Sequence, residues 1–569
     1  MKNVLKNIIE NKWTHYIIIA IIGLLISIPM LNMQIIETHD GSIHLLRIIG
    51  LNNSMKNSEF PFLIAPYYCR DFGYSMSAIY PQLVTYIPFL FAMLTKSFNL
   101  GLKIFAMLTI PISGICMYNF TRDTTKRKDI SFLSAIIYMT FPYRFEDIFT
   151  RYAIGEFTAF IFLPIVFHGL YNLINGDRKK HFYIAIGAIG LILSHTITTI
   201  YAAIFCVIYI IYNFKKFWDK DVIKKCIVNV IFILLVSSLF IVPLFEYKTQ
   251  AQYSVFEPGV MKTAGEYVQN NTIEIWQLIK DKGEERGVSF VVGIPTIIML
   301  MLTILVWKNI DKKYKNFYGI CLVFAVISIY MCTKFFPWRI MPQIICNIQY
   351  PWRMVGFAMF FFTPVFAINV CTLLDTIKNL KIKSNLYVLS VIILIIFAII
   401  KITNYKYINN ENDKNYENRM QNNPIISHFL VNRDYMPYKA IVKQRSYVQT
   451  REDRIYVIKG NEIIENEEKD GLKMFADIKN AIKGDVLEFP YFFYPGYEVT
   501  IETSEKCIKL KIEESENGFV QITIPENIES GKINFCYKGT NIEKVSYIIS
   551  AISLIGFIIY IIYYKKKEA

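Results

Sequence analysis

YIIIAIIGLLISIPML, residues 16–31, followed within a few residues by ETHDGSIHLLRIIG, residues 37–50, decides the fold class. The first stretch is too long and too apolar for a signal-peptide core, and no small-residue cleavage site follows it. It reads as an uncleaved signal anchor that spans a bilayer. The second turns abruptly polar and places His39, Asp40 and His44 directly beyond the membrane exit.

The rest of the chain repeats this alternation. Hydrophobic residues make up 54% of it and charged residues 19%, with a mean hydropathy of +0.34. That is poor in charge for a soluble domain. The net charge of +15 would suggest nucleic acid in a soluble protein. Here it gathers in short loops between apolar runs, so membrane topology accounts for it and no nucleic-acid partner is expected.

About twelve spans are expected on a helical length of about 20 residues, over roughly 15–35, 102–120, 130–142, 153–173, 181–194, 195–213, 224–245, 288–307, 316–333, 353–374, 385–402 and 546–564. Residues 82–95, QLVTYIPFLFAMLT, are short and carry Pro88. Taken as an interfacial helix, they leave every short basic loop on one side: Arg122–Lys128, Arg178–Lys180, Lys215–Lys225, Lys308–Lys315, Lys378–Lys383 and Lys565–Lys567. The positive-inside rule then puts both termini in the cytoplasm of a multi-pass protein of the cytoplasmic membrane. The expected organisation is an all-α transmembrane domain over 1–402 with a large first outer loop, 37–101. A mainly-β, sandwich-like extracytoplasmic domain follows over 403–545, where DVLEFP, YEVTIET, CIKLKIE, FVQITIP and KINFCY alternate in the strand manner. A final helix and basic tail occupy 546–569. Cys507 and Cys536 fall in the outer domain and either form a disulfide or stay unpaired.

Three clusters on the expected outer face carry candidate chemistry. Asp40 could act as a general base or metal ligand, with His39 and His44 orienting it or sharing a divalent metal (Asp40 and His44 first among the donors); the alternative is that Asp40 is the N-cap of an interfacial helix. FPYRFEDIFTRYAIGEF, 141–157, crowds Arg144, Asp147, Arg151 and Glu156. Glu156 lies inside an apolar run, where it costs about 3 kcal/mol unless paired or facing a cavity. It is either catalytic or the structural partner of Arg151. KFFPWRIMPQIICNIQYPWRM, 334–354, holds Arg339, Trp352 and Arg353 with no acid. These arginines could fork onto a lipid phosphate, or snorkel at a headgroup boundary. His195 stands at a sharp corner between two apolar runs and is either a substrate contact or a satisfied structural group.

Acid, base and phosphate-binding groups on one membrane face are what glycosyl transfer from a lipid phosphate requires. The expected donor is a polyprenyl-phosphate sugar and the acceptor a polymer, glycolipid or protein of the cell envelope. A transporter or flippase of a glycan or lipid, or a non-catalytic membrane scaffold, are the alternatives. The near absence of mid-depth charge in the spans argues against an ion-coupled transporter.

The order HDGSIHLLR, GYSMSAIYPQLVTYIP, PYRFEDIFTRYAIGEF, LSHTITT and IQYPWRM resembles the bacterial membrane family labelled 6-pyruvoyl-tetrahydropterin synthase-related. That family looks like a branch of the GT-C glycosyltransferases close to the YfhO-like membrane proteins. The tail FPYFFYPGYEVTI with ENGFVQITIPENIESGKINFCYKGT is similar to the YfhO-like C-terminal module. The resemblance implies an essential acid in the first outer loop, where Asp40 is the matching position, and interfacial helices in that loop. Many members pair two acids there; here the neighbour is His39.

Overall fold

The computed structural model describes residues 11–257, 263–278, 294–405, 433–443 and 445–567. Expectations for the first ten residues, for the start of the 288–307 run and for much of 403–432 lie outside them.

The membrane part is a bundle layered by burial. Pro351–Asp375 and Ile154–Asn175 form its centre, with 89% and 83% of their apolar windows buried. Leu380–Thr403 and Asn541–Lys566 are at its rim, at 11% and 17%. The rim helices expose isoleucines and leucines such as Ile393, Ile399, Ile552 and Ile559. A helix that presents apolar side chains outward needs lipid rather than water as its solvent. Glycines set the closest approaches: a Cβ on Gly23 would sit 2.8 Å from that of Pro111.

Among the described residues, seven helices are long and apolar enough to cross a membrane, or eight when Lys220–Val236 and Ser238–Gln250, bent by 65° at their junction, count as one span. The twelve expected spans are therefore reduced. The runs read as 130–142, 181–194, 195–213 and 288–307 correspond to the shorter helices Lys128–Thr140, Tyr183–Ile192, Thr196–Tyr212 and Ile294–Val306. Lys128–Thr140 has 13 residues, roughly 20 Å of rise against a hydrocarbon thickness of about 30 Å. Almost all of it is buried, so its apolar character serves packing inside the bundle. The apolar 82–95 segment forms the helix Leu83–Thr95. It folds back on the start of Phe98–Thr125, with a Gly101 Cβ position 2.5 Å from the Ala92 nitrogen, and exposes Leu90, Met93 and Leu94.

The C-terminal module is a two-sheet β-sandwich. Its strands are β1 (Tyr456–Lys459), β2 (Ile463–Asp470), β3 (Lys473–Ala481), β4 (Val486–Phe492), β5 (Tyr497–Glu502), β6 (Cys507–Leu510), β7 (Ile512–Glu514), β8 (Phe519–Thr523) and β9 (Ile528–Tyr537). One sheet has the order β1-β4-β8-β7 and the other β2-β3-β9-β5-β6, with every pairing antiparallel. Aromatic rings join them: Tyr491 on β4 stacks on Phe535 of β9 with centroids 4.2 Å apart. Cys507 pairs in register with Glu502 and Cys536 with Glu498, two strands apart and at different heights, and both are free. The unpaired reading of these cysteines holds.

The sandwich is docked on the long loop that follows the first helix. Tyr67 donates to Asp470 Oδ1 at 2.6 Å, the Leu472 amide donates to Glu59 Oε1 at 3.0 Å, and the Phe492 amide donates to Phe72 O at 2.9 Å.

Candidate active site

Asp40 ends the link from the first helix and precedes the helix Gly41–Lys56. Its side chain makes no capping hydrogen bond. Thr38 Oγ1 takes the Gly41 amide instead, at 3.2 Å. The capping role weighed for Asp40 is therefore filled by its neighbour. The backbone is strapped to the second cluster: the His39 amide donates to Thr150 O at 3.2 Å and the Asp40 amide to Arg151 O at 2.9 Å.

The second cluster folds as a short helix, Pro142–Phe145, a wide π turn, Glu146–Thr150, and the start of Ile154–Asn175. Arg151 is its hub. The guanidinium donates to Asp147 Oδ1 at 2.5 Å and Glu156 Oε2 at 2.9 Å, and lies over the Trp352 ring at 4.5 Å. Tyr143 donates to Glu156 Oε1 at 2.6 Å. One cation held between two carboxylates and an indole face is the compensation that burial of this cluster demands.

Arg353 comes from the third cluster. It donates to Ile348 O at 2.8 Å and Gln349 Oε1 at 2.9 Å, and its Nε stands 3.9 Å from Glu156 Oε2. His195 caps the helix Thr196–Tyr212, accepting from the Thr198 amide. The corner is pressed against the start of the Glu156 helix: a Cβ on Gly155 would fall 2.7 Å from Ser194 O and 2.5 Å from Tyr80 Oη.

These segments enclose a cavity of about 570 Å³. Asp40, His44, Arg151, His195 and Arg353 all line it, so one wall draws on each cluster. The other expected residues are arranged around it. Trp352 lies beneath Arg151, Asp147 and Glu156 form its ion pairs, and His39 is exposed beside Asp40. Two expectations are corrected. Arg144 is wholly buried, donates to Tyr138 O at 3.1 Å and stacks near Tyr138 and Phe160, because aromatic faces there hold the cation within the core. Arg339 is exposed and does not line the cavity.

The structure adds wall residues that the sequence reading did not single out. Tyr80 and Pro81 are held by Arg47, whose guanidinium lies 4.6 Å from the Tyr80 ring and donates to Pro81 O at 3.0 Å. Lys248, Gln343 and Asn347 supply polar groups. Asp434 and Tyr435 close the cavity from the C-terminal side, and Tyr494 of the sandwich donates to Tyr435 O at 3.1 Å. The quoted GYSMSAIYPQ stretch contained Tyr80 and Pro81, and the third cluster contained Gln343 and Asn347; Lys248, Asp434 and Tyr435 stand outside every quoted motif.

Burial pushes the Asp40 carboxyl above the usual carboxylate range, against the opposing pull of Arg151, Arg353 and His39. Partial desolvation lowers His39, and full burial lowers His44 more strongly, so that His44 stays neutral. A carboxylate of raised proton affinity beside fixed guanidinium groups can take a proton from a hydroxyl while the cations face a developing anion. Among the described residues, no group of three or more His, Cys, Asp or Glu could hold a metal ion. Asp40 with His44 is a poor donor set for one.

No known family model matches the chain. It is 22% identical to an uncharacterized protein of Lactococcus lactis subsp. cremoris, over 99% of this chain and 98% of the relative. Among solved structures it is similar to the mycobacterial arabinofuranosyltransferase AftD, with a TM-score of 0.45 and 10% identity over 69% of this chain and 27% of that one. It is also similar to the oligosaccharyltransferase AglB of Archaeoglobus fulgidus, solved with an inhibitory peptide and a dolichol-phosphate, with a TM-score of 0.40 and 14% identity over 75% of this chain and 61% of that one. The chain thus spans about a quarter of AftD and three fifths of AglB.

Proposed function

We propose that the protein is a membrane glycosyltransferase of GT-C type that moves a sugar from a polyprenyl-phosphate donor to a hydroxyl acceptor of the cell envelope, on the outer face of the cytoplasmic membrane. The observation that carries this reading is the side chain of Asp40: it caps nothing and lines the same cavity as Arg353, Arg151 and His195. In the proposed step, Asp40 takes the proton of the acceptor hydroxyl. The acceptor oxygen bonds to the anomeric carbon, and the bond from that carbon to the phosphate oxygen breaks. The lipid phosphate leaves with the electron pair and is stabilised by Arg353, with Arg151 behind it. His44, neutral and buried on the same wall, is suited to a sugar hydroxyl. No step runs through a metal.

Asp40→Asn tests the reading. Asparagine keeps the size of the side chain and loses its basicity, so product formation by membranes at matched protein amount should fall roughly 100-fold or more, with normal insertion. Near-wild-type transfer by this variant would remove Asp40 from the chemistry.

A further inference from the structure

Three turns of the sandwich meet at the end of the β2–β3 hairpin away from the turn that touches Glu59, where Ile463 pairs with Lys479. They are residues 460–462 between β1 and β2, 482–485 between β3 and β4, and 524–527 between β8 and β9. Hydrogen bonds join the last two: the Ile524 amide donates to Asp485 O and the Gly484 amide to Ile524 O, each at 2.8 Å, and the Lys483 amide donates to Asn527 Oδ1 at 2.9 Å.

Two carboxylates are folded into this end. Glu462 is 6% exposed and Asp485 7%. Asp485 Oδ2 accepts from the Ile482 amide at 2.7 Å. Both oxygens of Glu462 are buried and have no hydrogen-bond partner. They face Asp485: a Cβ built on Gly460 would lie 2.1 Å from Glu462 Oε2 and 2.8 Å from Asp485 Oδ1, so one small region holds oxygens of both acids. Gly460 has a φ of +128°, and glycine alone leaves that region open.

No side chain compensates the pair. Burial pushes the Glu462 carboxyl above its ordinary range and the neighbouring Asp485 pushes it the same way, with no positive side chain to oppose them. Among the described residues neither acid is in an ion pair, and Lys459 and Lys483, the cations nearest in sequence, are both exposed. Two buried like charges with unbonded oxygens are stable only when a counter-charge or a proton joins them.

We propose that Glu462 and Asp485 form a binding site for a divalent cation of the calcium class, which clamps the turns at this end of the sandwich. Carboxylate oxygens are the hard donors such a cation prefers, and water and turn carbonyls supply its remaining places. In the topology expected from the loop charges the sandwich lies on the outer side, where modules bind calcium with dissociation constants of about 10⁻⁴–10⁻³ M. This site is separate from the Asp40 cavity and does not rest on the glycosyltransferase reading.

The experiment uses the full chain in neutral detergent after treatment with a chelator, with thermal midpoint and isothermal titration as readouts. Calcium chloride should raise the wild-type midpoint saturably, at about 10⁻⁴–10⁻³ M, and magnesium chloride should act more weakly. Glu462→Gln removes a ligand and the like-charge repulsion together. Its midpoint without calcium should equal or exceed that of the wild type, while its apparent calcium affinity falls about tenfold or more. Gly460→Ala keeps both charges and fills the space between them, and should weaken binding as well. Glu465→Gln, exposed and paired with Lys479 on the same sandwich, should respond as wild type, and so should Asp40→Asn. If Glu462→Gln does not fold, Asp485→Asn decides, because it keeps an acceptor for the Ile482 amide. No saturable response of the wild type to calcium, or equal responses in the wild type and the folded site variants, overturns the proposal. A midpoint that follows pH through Glu462 and ignores calcium assigns the pair to a shared proton and overturns it too.

Discussion

The amide of Asp40 donates to the carbonyl of Arg151 at 2.9 Å, so the candidate base and the central cation of the second cluster share one backbone clamp. Arg151 in turn holds Asp147 and Glu156, which fixes the height of Asp40 relative to Arg353 through a short chain of bonds.

Asp40 must be ionised to act as a base, and burial raises its pKa above the ordinary carboxylate range. Activity should therefore rise with pH through a limb lying above about pH 4. Arg353 lowers the Asp40 pKa, so Arg353→Gln should move this limb to higher pH, whereas Arg353→Lys retains the charge and should leave it in place. The pH dependence of kcat/KM in membranes checks this. An unmoved limb in Arg353→Gln would show that the two groups do not communicate.

Glu156 was read as either catalytic or structural, and the ion pairs define the test. Glu156→Gln leaves Arg151 with Asp147 as its remaining close carboxylate in a buried setting, at an expected cost of about 3 kcal/mol. The thermal midpoint in detergent should fall clearly. A variant of wild-type stability that has lost transfer would instead assign Glu156 to the chemistry.

Gly155→Ala should perturb the site without adding or removing charge. The new methyl would meet Ser194 O at 2.7 Å, a backbone atom beside His195 that cannot swing away. Displacing the corner by a fraction of an ångström should lower kcat by up to roughly 100-fold while insertion stays normal. Unchanged kcat would mean that the His195 corner has no part in positioning substrate.

Orientation can be read by labelling. In a Cys507→Ser background, Lys126→Cys and Glu465→Cys both offer exposed positions. An impermeant thiol reagent applied to intact cells should modify the second and spare the first. Reaction at position 126 would invert the topology and place the candidate active site on the cytoplasmic face.

Much of this architecture was legible in the chain. Strand alternation in DVLEFP and FVQITIP marked β4 and β8; Asp40 stood out by its place directly after the first span, Arg151 and Arg353 by charge crowded beside apolar runs, and His195 by its corner between two of them. The number of spans was not legible, because an apolar run reports that a segment avoids water but not whether lipid or protein replaces it. Lys128–Thr140 is surrounded by protein and is apolar for that reason. Arg144 was misplaced on the same ground: a guanidinium beside aromatic residues reads alike whether it faces a ligand or stacks in the core. Asp434 and Tyr435 were invisible because only tertiary folding brings them within reach of Asp40.

The dependence of the cavity on Tyr435 and on the sandwich has a consequence for biosynthesis. Asp40 emerges from the ribosome among the first residues, but the wall opposite it is translated several hundred residues later and is tied down by Tyr494. The last helix then anchors the assembly, with Tyr547 donating to Gln82 Oε1 at 3.0 Å and Ser550 to Val236 O at 2.5 Å. At about 5–20 residues per second, the gap between the two ends is on the order of half a minute to two minutes. Throughout that interval the nascent chain carries the candidate base in an unfinished chamber, whose far wall closes only after the sandwich has been made.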